Sequence, residues 1–444
     1  VTHWRTLSTL LSEGCPAAQV MSIADGQGIS LARFRDDVAA ASRRLSGCRR
    51  GALVCQDSYR FAVGLFGLFQ AGADVLLPAN AQPGTLQALT GEWDRLVDDG
   101  LLAGDDTPAE TPARPWRPLD ADRTRITFFT SGSTGTPKAI QRTLGMLERE
   151  IAVLERMWGP RIGHGPVLAT VSHQHLYGLT FKLLWPLAAG RPFFAGTHEL
   201  WETLLADLPE GACVISSPAH LGRLGGLAPL AAHRRPVAVF SAGAPLSRSA
   251  AMDAEAILGH LPIEIFGSTE TGAFASRRQR AGDETWTAFP GANIGVDDDG
   301  CLTLETPYTT GWVGTADRIQ IVAQGFRFLG RADRIAKIEG KRISLTEVER
   351  ILQALPWIDT AAAVVLPGDT PRLAAAATLT EAGRDRLAQL GRFRFGRMLR
   401  QEMAATSDPA GRPRLWRFVE ALPLRAMGKR VDTDILALFT QVPP

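Results

Sequence analysis

The densest chemistry in the chain lies between Thr130 and Lys138, where the sequence runs Thr-Ser-Gly-Ser-Thr-Gly-Thr-Pro-Lys. Gly132 and Gly135 let the backbone turn close to a ligand and aim its N–H groups inward. The hydroxyls of Thr130, Ser131, Ser133 and Thr134 add donors for phosphate oxygens, and Lys138 adds a positive charge. A short apolar strand, Ile126 to Phe129, feeds directly into the loop. Every part of it suits a polyphosphate. It is not a Walker A loop, because the pattern Gly-x-x-x-x-Gly-Lys-Ser/Thr is missing.

The flanking elements read as an α/β framework. Ser30 opens a helix with Leu31, Phe34, Val38 and Leu45 on one stripe. Ala52 to Cys55 follows as a buried strand, Phe61 to Ala71 as an apolar helix and Ala73 to Leu77 as a further strand. Such alternation predicts a parallel sheet covered on both faces. Asp98 to Asp122, with Pro108, Pro112, Pro115 and Pro118, reads as an irregular connection. Strands resume at Val167 to Thr170, Ala212 to Ser216 and Val237 to Phe240. Gln324-Gly325 marks a hairpin between Ile319 to Val322 and Phe326 to Leu329. Ser344 and Glu347 carry a capping-box signature for a helix burying Leu345, Val348, Ile351, Leu352 and Leu355. Strands at Ala361 to Leu366, Leu373 to Leu379 and Arg414 to Val419, and a helix from Arg386 to Met403, complete the chain. The expected fold class is therefore α/β: a large N-terminal domain of helix-covered β-sheets with a β-rich subdomain, and a small mobile α+β C-terminal domain. The expected boundaries are 1–332, with its β-rich part at about 290–332, and 333–444.

Composition narrows the partners. The 444 residues include 48 basic and 46 acidic side chains, a net charge of +2. That balance gives no case for nucleic acid as the main partner. Arg277-Arg278 and the arginines between Arg392 and Arg400 read as solvated or phosphate-facing surface. Cysteines stand at 15, 48, 55, 213 and 301 with no Cys-x-x-Cys pair. That suits a reducing cytosol rather than a disulfide framework or a zinc site. The most apolar stretch, Phe61 to Ala79, is broken by Gln70, Gly72 and Asp74, so no membrane span is expected. The first residues lack the order of a signal peptide, and the expected location is cytoplasmic.

The loop resembles the signature loop of the adenylate-forming superfamily, which includes acyl-CoA synthetases, aryl-acid ligases, adenylation domains of peptide synthetases and beetle luciferases. Further motifs of that superfamily follow in order. Phe69 to Pro78 is similar to its early helix-turn-strand segment. Ser241-Ala242-Gly243-Ala244-Pro245-Leu246 resembles the loop bordering adenine and the acyl group. Glu264-Ile265-Phe266-Gly267-Ser268-Thr269-Glu270 resembles the aromatic-Gly-x-Thr-Glu motif. Thr315-Ala316-Asp317 resembles Thr-Gly-Asp, with alanine in place of glycine. Gly330-Arg331-Ala332-Asp333, continuing to Glu349, resembles the hinge, and Leu422 to Lys429 resembles the C-terminal lysine motif.

The resemblance implies a role for each position. ATP would lie along Thr130 to Lys138, Gly243, Ala244, Pro245, Glu264, Phe266, Gly267 and Ser268. Asp317 would accept from the ribose hydroxyls, with Arg331 beside it. Glu270 would help hold Mg2+, Thr269 would contact the α-phosphate and Lys429 would stabilise charge during adenylation. Asp333 would be the pivot, and Lys337 to Arg342 would line the approach of a thiol. His175, in a His-x-x-Gly segment, would sit beside the acyl group, with Tyr177, Gly178, Ala242 and Ala273 lining its pocket. Ser172 to Thr180 contains no aspartate to pair an α-amine, so an amino-acid substrate is not expected. The implied activity is AMP-forming ligation of an aryl or medium-chain carboxylic acid to a thiol, either of coenzyme A or of the phosphopantetheine on a separate acyl carrier protein. A non-catalytic nucleotide-binding homologue, acting as sensor or partner, is the competing reading. The retained Lys138, Glu270, Asp317, Arg331 and Lys429 weigh against it.

Overall fold

The computed structural model describes residues 4–12, 17–103, 116–131, 137–280, 284–338, 341–366, 372–407, 409–424 and 431–440. Two sheets carry the larger part of the chain. One has five strands in the order 95–98, 50–54, 74–77, 125–131, 137–143. The first four run parallel, and the last returns antiparallel to its neighbour. The other has nine strands, and its central run (263–268, 238–241, 213–216, 167–169) is parallel. Antiparallel strands 272–277 and 287–288 extend one end of it.

The helices form where sequence patterning places them. The helix Leu31–Arg44 buries Leu31, Phe34, Val38 and Ala41, and its N-cap Ser30 accepts from the Arg33 N–H. The next helix, Ser58–Ala71, is buried on nearly all sides from Ser58 to Phe69. A helix apolar all round belongs inside a layered core. Gly72 ends it in the left-handed conformation at φ 78°, where a Cβ would be strained. No helix among the described residues is long and apolar enough to cross a membrane.

The β-rich part is a four-stranded antiparallel sheet, 293–296, 301–305, 313–322 and 325–331. The hairpin turns at Gln324-Gly325 as its sequence requires, with Gly325 at φ 143°. Beyond it a two-stranded ribbon, 335–338 with 341–344, leads to the helix Leu345–Gln353. The Ser344 hydroxyl caps that helix at the Glu347 N–H, 3.2 Å. The Glu347 carboxylate binds Arg350 at 2.8 and 2.9 Å.

Three segments differ from expectation, one of them an unforeseen helix, Asp432–Thr440. Asp98 to Asp122 is not wholly irregular, because the Asp98 carboxylate accepts from Leu101 N at 2.8 Å and caps a helical turn, Asp99–Leu102. The helix expected from Arg386 starts earlier, at Glu381, because the Thr380 hydroxyl accepts from Gly383 N. Gly391, at φ 74° and ψ 158°, breaks it midway.

Strands 358–366 and 372–379 pair through a run of alanines, Ala361 to Ala363 against Ala375 to Ala377. Both faces are covered: Ala361, Ala363, Ala375 and Ala377 point to one apolar cluster, Ala362, Ala374 and Ala376 to another. A sheet this closely sandwiched has no room for larger side chains. Ala375→Leu should therefore lower stability by about 1–3 kcal/mol through overpacking. Thermal unfolding checks this, and an unchanged midpoint would refute it.

Candidate active site

The site is organised by the strand Pro137–Thr143, which leaves the glycine-rich loop. In a strand, residues two apart share a face. Lys138, Ile140 and Arg142 therefore point one way, across the gap between the sheets. Lys138 and Arg142 reach the turn that joins strands 263–268 and 272–277 of the larger sheet. Lys138 Nζ lies 2.9 Å from Glu270 Oε1. Arg142 donates to the carbonyl oxygens of Thr269 and Glu270, each at 3.4 Å.

The turn is shaped by its own residues. Ser268 N–H donates to Thr271 Oγ1 at 3.0 Å, and Thr271 N–H donates back to Ser268 Oγ at 3.3 Å. The register slips by a bulge between Phe266 and Gly267, a device that re-aims side chains beside functional sites. A Cβ on Gly267 would fall 2.3 Å from the Gly272 oxygen, so only glycine fits there. Phe266 is anchored edge-on against Phe274, Trp286, Phe326 and Phe328 at 4.9 to 5.7 Å.

Half-burial by itself would raise the Glu270 carboxyl. The Lys138 hydrogen bond and charge, its own backbone N–H and the Ser268 hydroxyl outweigh this and hold it below its ordinary value. The group is thus an ionised carboxylate, 37% exposed, beside a cation that is 63% exposed. An ionised, accessible carboxylate is what a hard divalent cation takes as a ligand.

Glu264, on the same strand, has a different setting. It is 3% exposed. Arg277 donates to both its oxygens, at 2.9 and 3.1 Å, and Leu246 N–H donates to Oε2 at 3.4 Å. Its carboxylate is turned into the protein, where it holds Arg277 and the end of the loop 242–246 rather than facing outward. Ala242 is buried there, while Gly243, at φ 101°, turns the backbone outward at the strand end. Ala244 and Pro245 continue that loop.

His175 precedes a short helical turn, Leu176–Gly178, and its oxygen accepts from Leu179 N at 2.8 Å. A Cβ on Gly178 would meet the Ser172 oxygen at 2.0 Å, so the His-x-x-Gly spacing is a packing requirement. Tyr177 stands 4.9 Å from Phe181. Its Oη is buried and forms no hydrogen bond of normal geometry. Phe181 and Trp158 in turn pack on Phe240 at 5.5 and 5.1 Å. Ala273 is buried beside this region, and its N–H and oxygen bind Glu150 and the Tyr308 hydroxyl.

Asp317 and Arg331 face each other across the four-stranded sheet as register partners, with Nη1 to Oδ1 at 3.4 Å. Ala316 lies within strand 313–322, and the single non-glycine residue with positive φ among the described residues is Asp25. The alanine is therefore unstrained where the motif usually has glycine. Asp333 falls in the 3₁₀ turn Ala332–Arg334 between strands 325–331 and 335–338. Thr130 pairs with Lys138, and Ser131 with Pro137, at the base of the loop. Gly132, Ser133, Thr134, Gly135 and Lys429 lie outside the described residues.

Sequence reading missed Arg142, Glu150, Gly272 and Tyr308, which hold the turn from below. The available signal was Arg142 itself, a charged residue four positions after Lys138 and hence on the same face of the strand.

A pH test follows from the Lys138–Glu270 pair. A carboxyl held low in the folded protein contributes stability above its unfolded value, lost as pH falls through the folded one. Lys138→Met should raise the Glu270 titration, read by carboxyl-carbon NMR. It should destabilise the protein near neutral pH, with the difference closing as pH falls through 4.5 and below. An unmoved Glu270 titration would refute the pairing.

Comparison with known proteins gives the geometry its context. Residues 80–301 match the family model described as AMP-binding enzyme. The chain is 30% identical over 323 residues to 4-coumarate–CoA ligase of Rhodobacter capsulatus, covering 71% of this chain and 77% of that protein. It is 26% identical over 318 residues to 4-chlorobenzoate–CoA ligase of an Arthrobacter species, covering 61% and 58%. Its fold is similar to that of ATP-bound MatB from Rhodopseudomonas palustris, with a TM-score of 0.77 over 98% of each chain at 17% identity. The chain belongs to the AMP-binding, adenylate-forming enzyme family and is homologous to acid–CoA ligases within it.

Proposed function

We propose that the protein is an acid–thiol ligase that activates an aryl carboxylic acid with ATP and passes the acyl group to the thiol of a phosphopantetheine arm, that of coenzyme A in the first instance. The observation that carries this reading is the 2.9 Å contact between Lys138, at the exit of the phosphate-type loop, and Glu270 on the facing sheet. It sets a cation and an ionised carboxylate at one point, the pair needed to bring an anionic acid to an anionic nucleotide.

Two anions must meet in the first half-reaction, and their repulsion must be screened. A carboxylate oxygen of the acid bonds to the α-phosphorus of ATP as the bond to pyrophosphate breaks. In the second, the thiol sulfur bonds to the acyl carbon, its proton passes to solvent and AMP leaves. Glu270 fits a magnesium ion, which when bound supplies further charge screening at the phosphates. Lys138 would neutralise phosphate oxygens, and Thr269 would donate to the α-phosphate. Asp317 would accept from the ribose diol and Arg331 would flank it. Gly243, Ala244, Phe266, Gly267 and Ser268 would border the nucleotide. Lys429, assigned by its motif alone, would bring positive charge to the reacting carboxylate from the C-terminal part, 333–444, with Asp333 as the pivot.

The partly exposed ring of Tyr177 supports an aryl acid. Tyr177 is partly exposed beside His175 and Gly178, and behind it the buried rings of Phe181 and Phe240 pack with Trp158 at 4.9 to 5.5 Å. Ring–ring contacts favour a flat aromatic guest. The two relatives described above are named for aryl acids, which agrees with an aromatic side chain at 177.

Pyrophosphate exchange with a panel of aryl and fatty acids tests the reading. Aryl acids should support exchange, and coenzyme A should then yield the thioester with AMP as product. Lys429→Ala should lower exchange by roughly 10²–10³-fold, the usual loss for one charge-stabilising group, with ATP still bound. Exchange with fatty acids alone would move the substrate class. A carrier protein accepted in place of coenzyme A would move the acceptor. No exchange with any acid, or ADP as product, would overturn the function.

A further inference from the structure

Beneath the Thr269–Glu270 turn lies an ion pair that no motif of the nucleotide site includes. Arg142 Nη2 and Glu150 Oε2 are 3.3 Å apart, and both side chains are 2% exposed. Burying two charges costs more than burying apolar groups of the same size, so such a pair is weak evidence for stability. What the pair touches is more telling. Glu150 Oε1 accepts from Ala273 N–H at 3.0 Å. Arg142 donates to the oxygens of Thr269, Glu270 and Tyr308, each at 3.4 Å. The Tyr308 hydroxyl donates to the Ala273 oxygen, closing the circuit. The contacts thus converge on the backbone of residues 269–273, whose outer side carries Thr269 and Glu270.

Two features show that the fit is specific. Gly272 adopts φ 70°, and a Cβ there would stand 2.6 Å from Glu150 Oε2 and 3.2 Å from Arg142 Nη2. The turn therefore admits the pair only because it has no side chain at 272. Arg142 Nε is buried without a partner, a cost that a purely structural core would shed by using an apolar residue.

We propose that Arg142 and Glu150 are positioning residues for the nucleotide site. They fix the Thr269–Glu270 turn against the strand that bears Lys138, so that the phosphate loop and the metal-binding carboxylate keep one spacing. One strand thereby holds Glu270 twice, by its side chain through Lys138 and by its backbone through Arg142. The inference rests on the acid-activating reading for its kinetics, but its geometry stands apart from which acid is used.

The test compares wild type with Glu150→Gln, Arg142→Lys, Arg142→Met and the double variant Arg142→Met/Glu150→Met. Each is measured for thermal midpoint, for ATP–Mg2+ affinity by calorimetry and for pyrophosphate exchange. Glu150→Gln should keep its fold and lose about 10–100-fold in kcat, the scale of a small misplacement of reacting groups. The magnesium concentration for half-maximal exchange should rise, and KM for the acid should stay put. Arg142→Lys should recover part of what Arg142→Met loses. The double variant decides the matter where single variants fold poorly. Removing both charges should restore the thermal midpoint without restoring kcat or ATP–Mg2+ affinity. Midpoint, kcat and affinity restored together would overturn the proposal, as would single variants with altered midpoints and unaltered magnesium dependence. If wild type binds ATP–Mg2+ but exchanges with no acid, the function above fails. The positioning role is then judged on affinity alone, and equal affinity in wild type and double variant overturns it.

Discussion

Everything at the site depends on one antiparallel strand. The five-stranded sheet is parallel until its last member, Pro137–Thr143, which folds back along Arg125–Ser131 at the sheet edge. An edge strand normally presents an unpaired, aggregation-prone flank. Here its charged face is turned toward the second sheet and spends Lys138 and Arg142 on the turn after Ser268. The two sheets are thus joined where the phosphate-type loop ends. Neither sheet alone contains both the glycine-rich loop segment and Glu270.

The repeating parts of this design were legible in the sequence because they are local. Apolar alternation marked the strands, and Ser30 and Ser344 marked helix starts by hydroxyls that do cap them. The loop, the turn motif and the Asp317–Arg331 hairpin were legible as motifs, because each depends on a few neighbouring residue types. What could not be read was how one motif meets another. Lys138 and Glu270 are 132 positions apart, and Arg142 reaches Tyr308 across 166. Such pairings follow from the order of strands across two sheets, which no local pattern encodes. Asp98 failed differently: it was read among prolines as loop material, yet one carboxylate oxygen is enough to start a helical turn.

The C-terminal part follows the same economy with different residues. Arg334, directly after Asp333, reaches both oxygens of Glu349 at 3.0 Å and the Ala363 oxygen at 2.9 Å. Glu349 in turn accepts from Ala363 N–H at 2.8 Å. The segment after the 3₁₀ turn is thereby fastened to the helix Leu345–Gln353 and the strand Ile358–Leu366 as one piece. A segment fastened to later elements of the chain moves with them. If the C-terminal part reorients about Asp333, as proposed above, this fastened piece would move as a whole.

Glu264 and Glu270 show why residue type alone does not assign a role. They lie six positions apart on one strand-and-turn, and each faces a cation. Glu264 is buried with a guanidinium on both oxygens, and separating that pair would leave a desolvated charge on each side, a loss of about 3–5 kcal/mol. Glu270 meets Lys138 at one oxygen, in a pair exposed to solvent on both sides. Pairs of that kind contribute about 0–1 kcal/mol. An incoming nucleotide with its cation could not open the first pair at reasonable cost, but it could exchange partners with the second almost freely. Phosphate oxygens would take Lys138, and the cation would take the carboxylate that Lys138 had faced. The weaker pair is therefore the one suited to chemistry, and the stronger one holds the strand from which it projects.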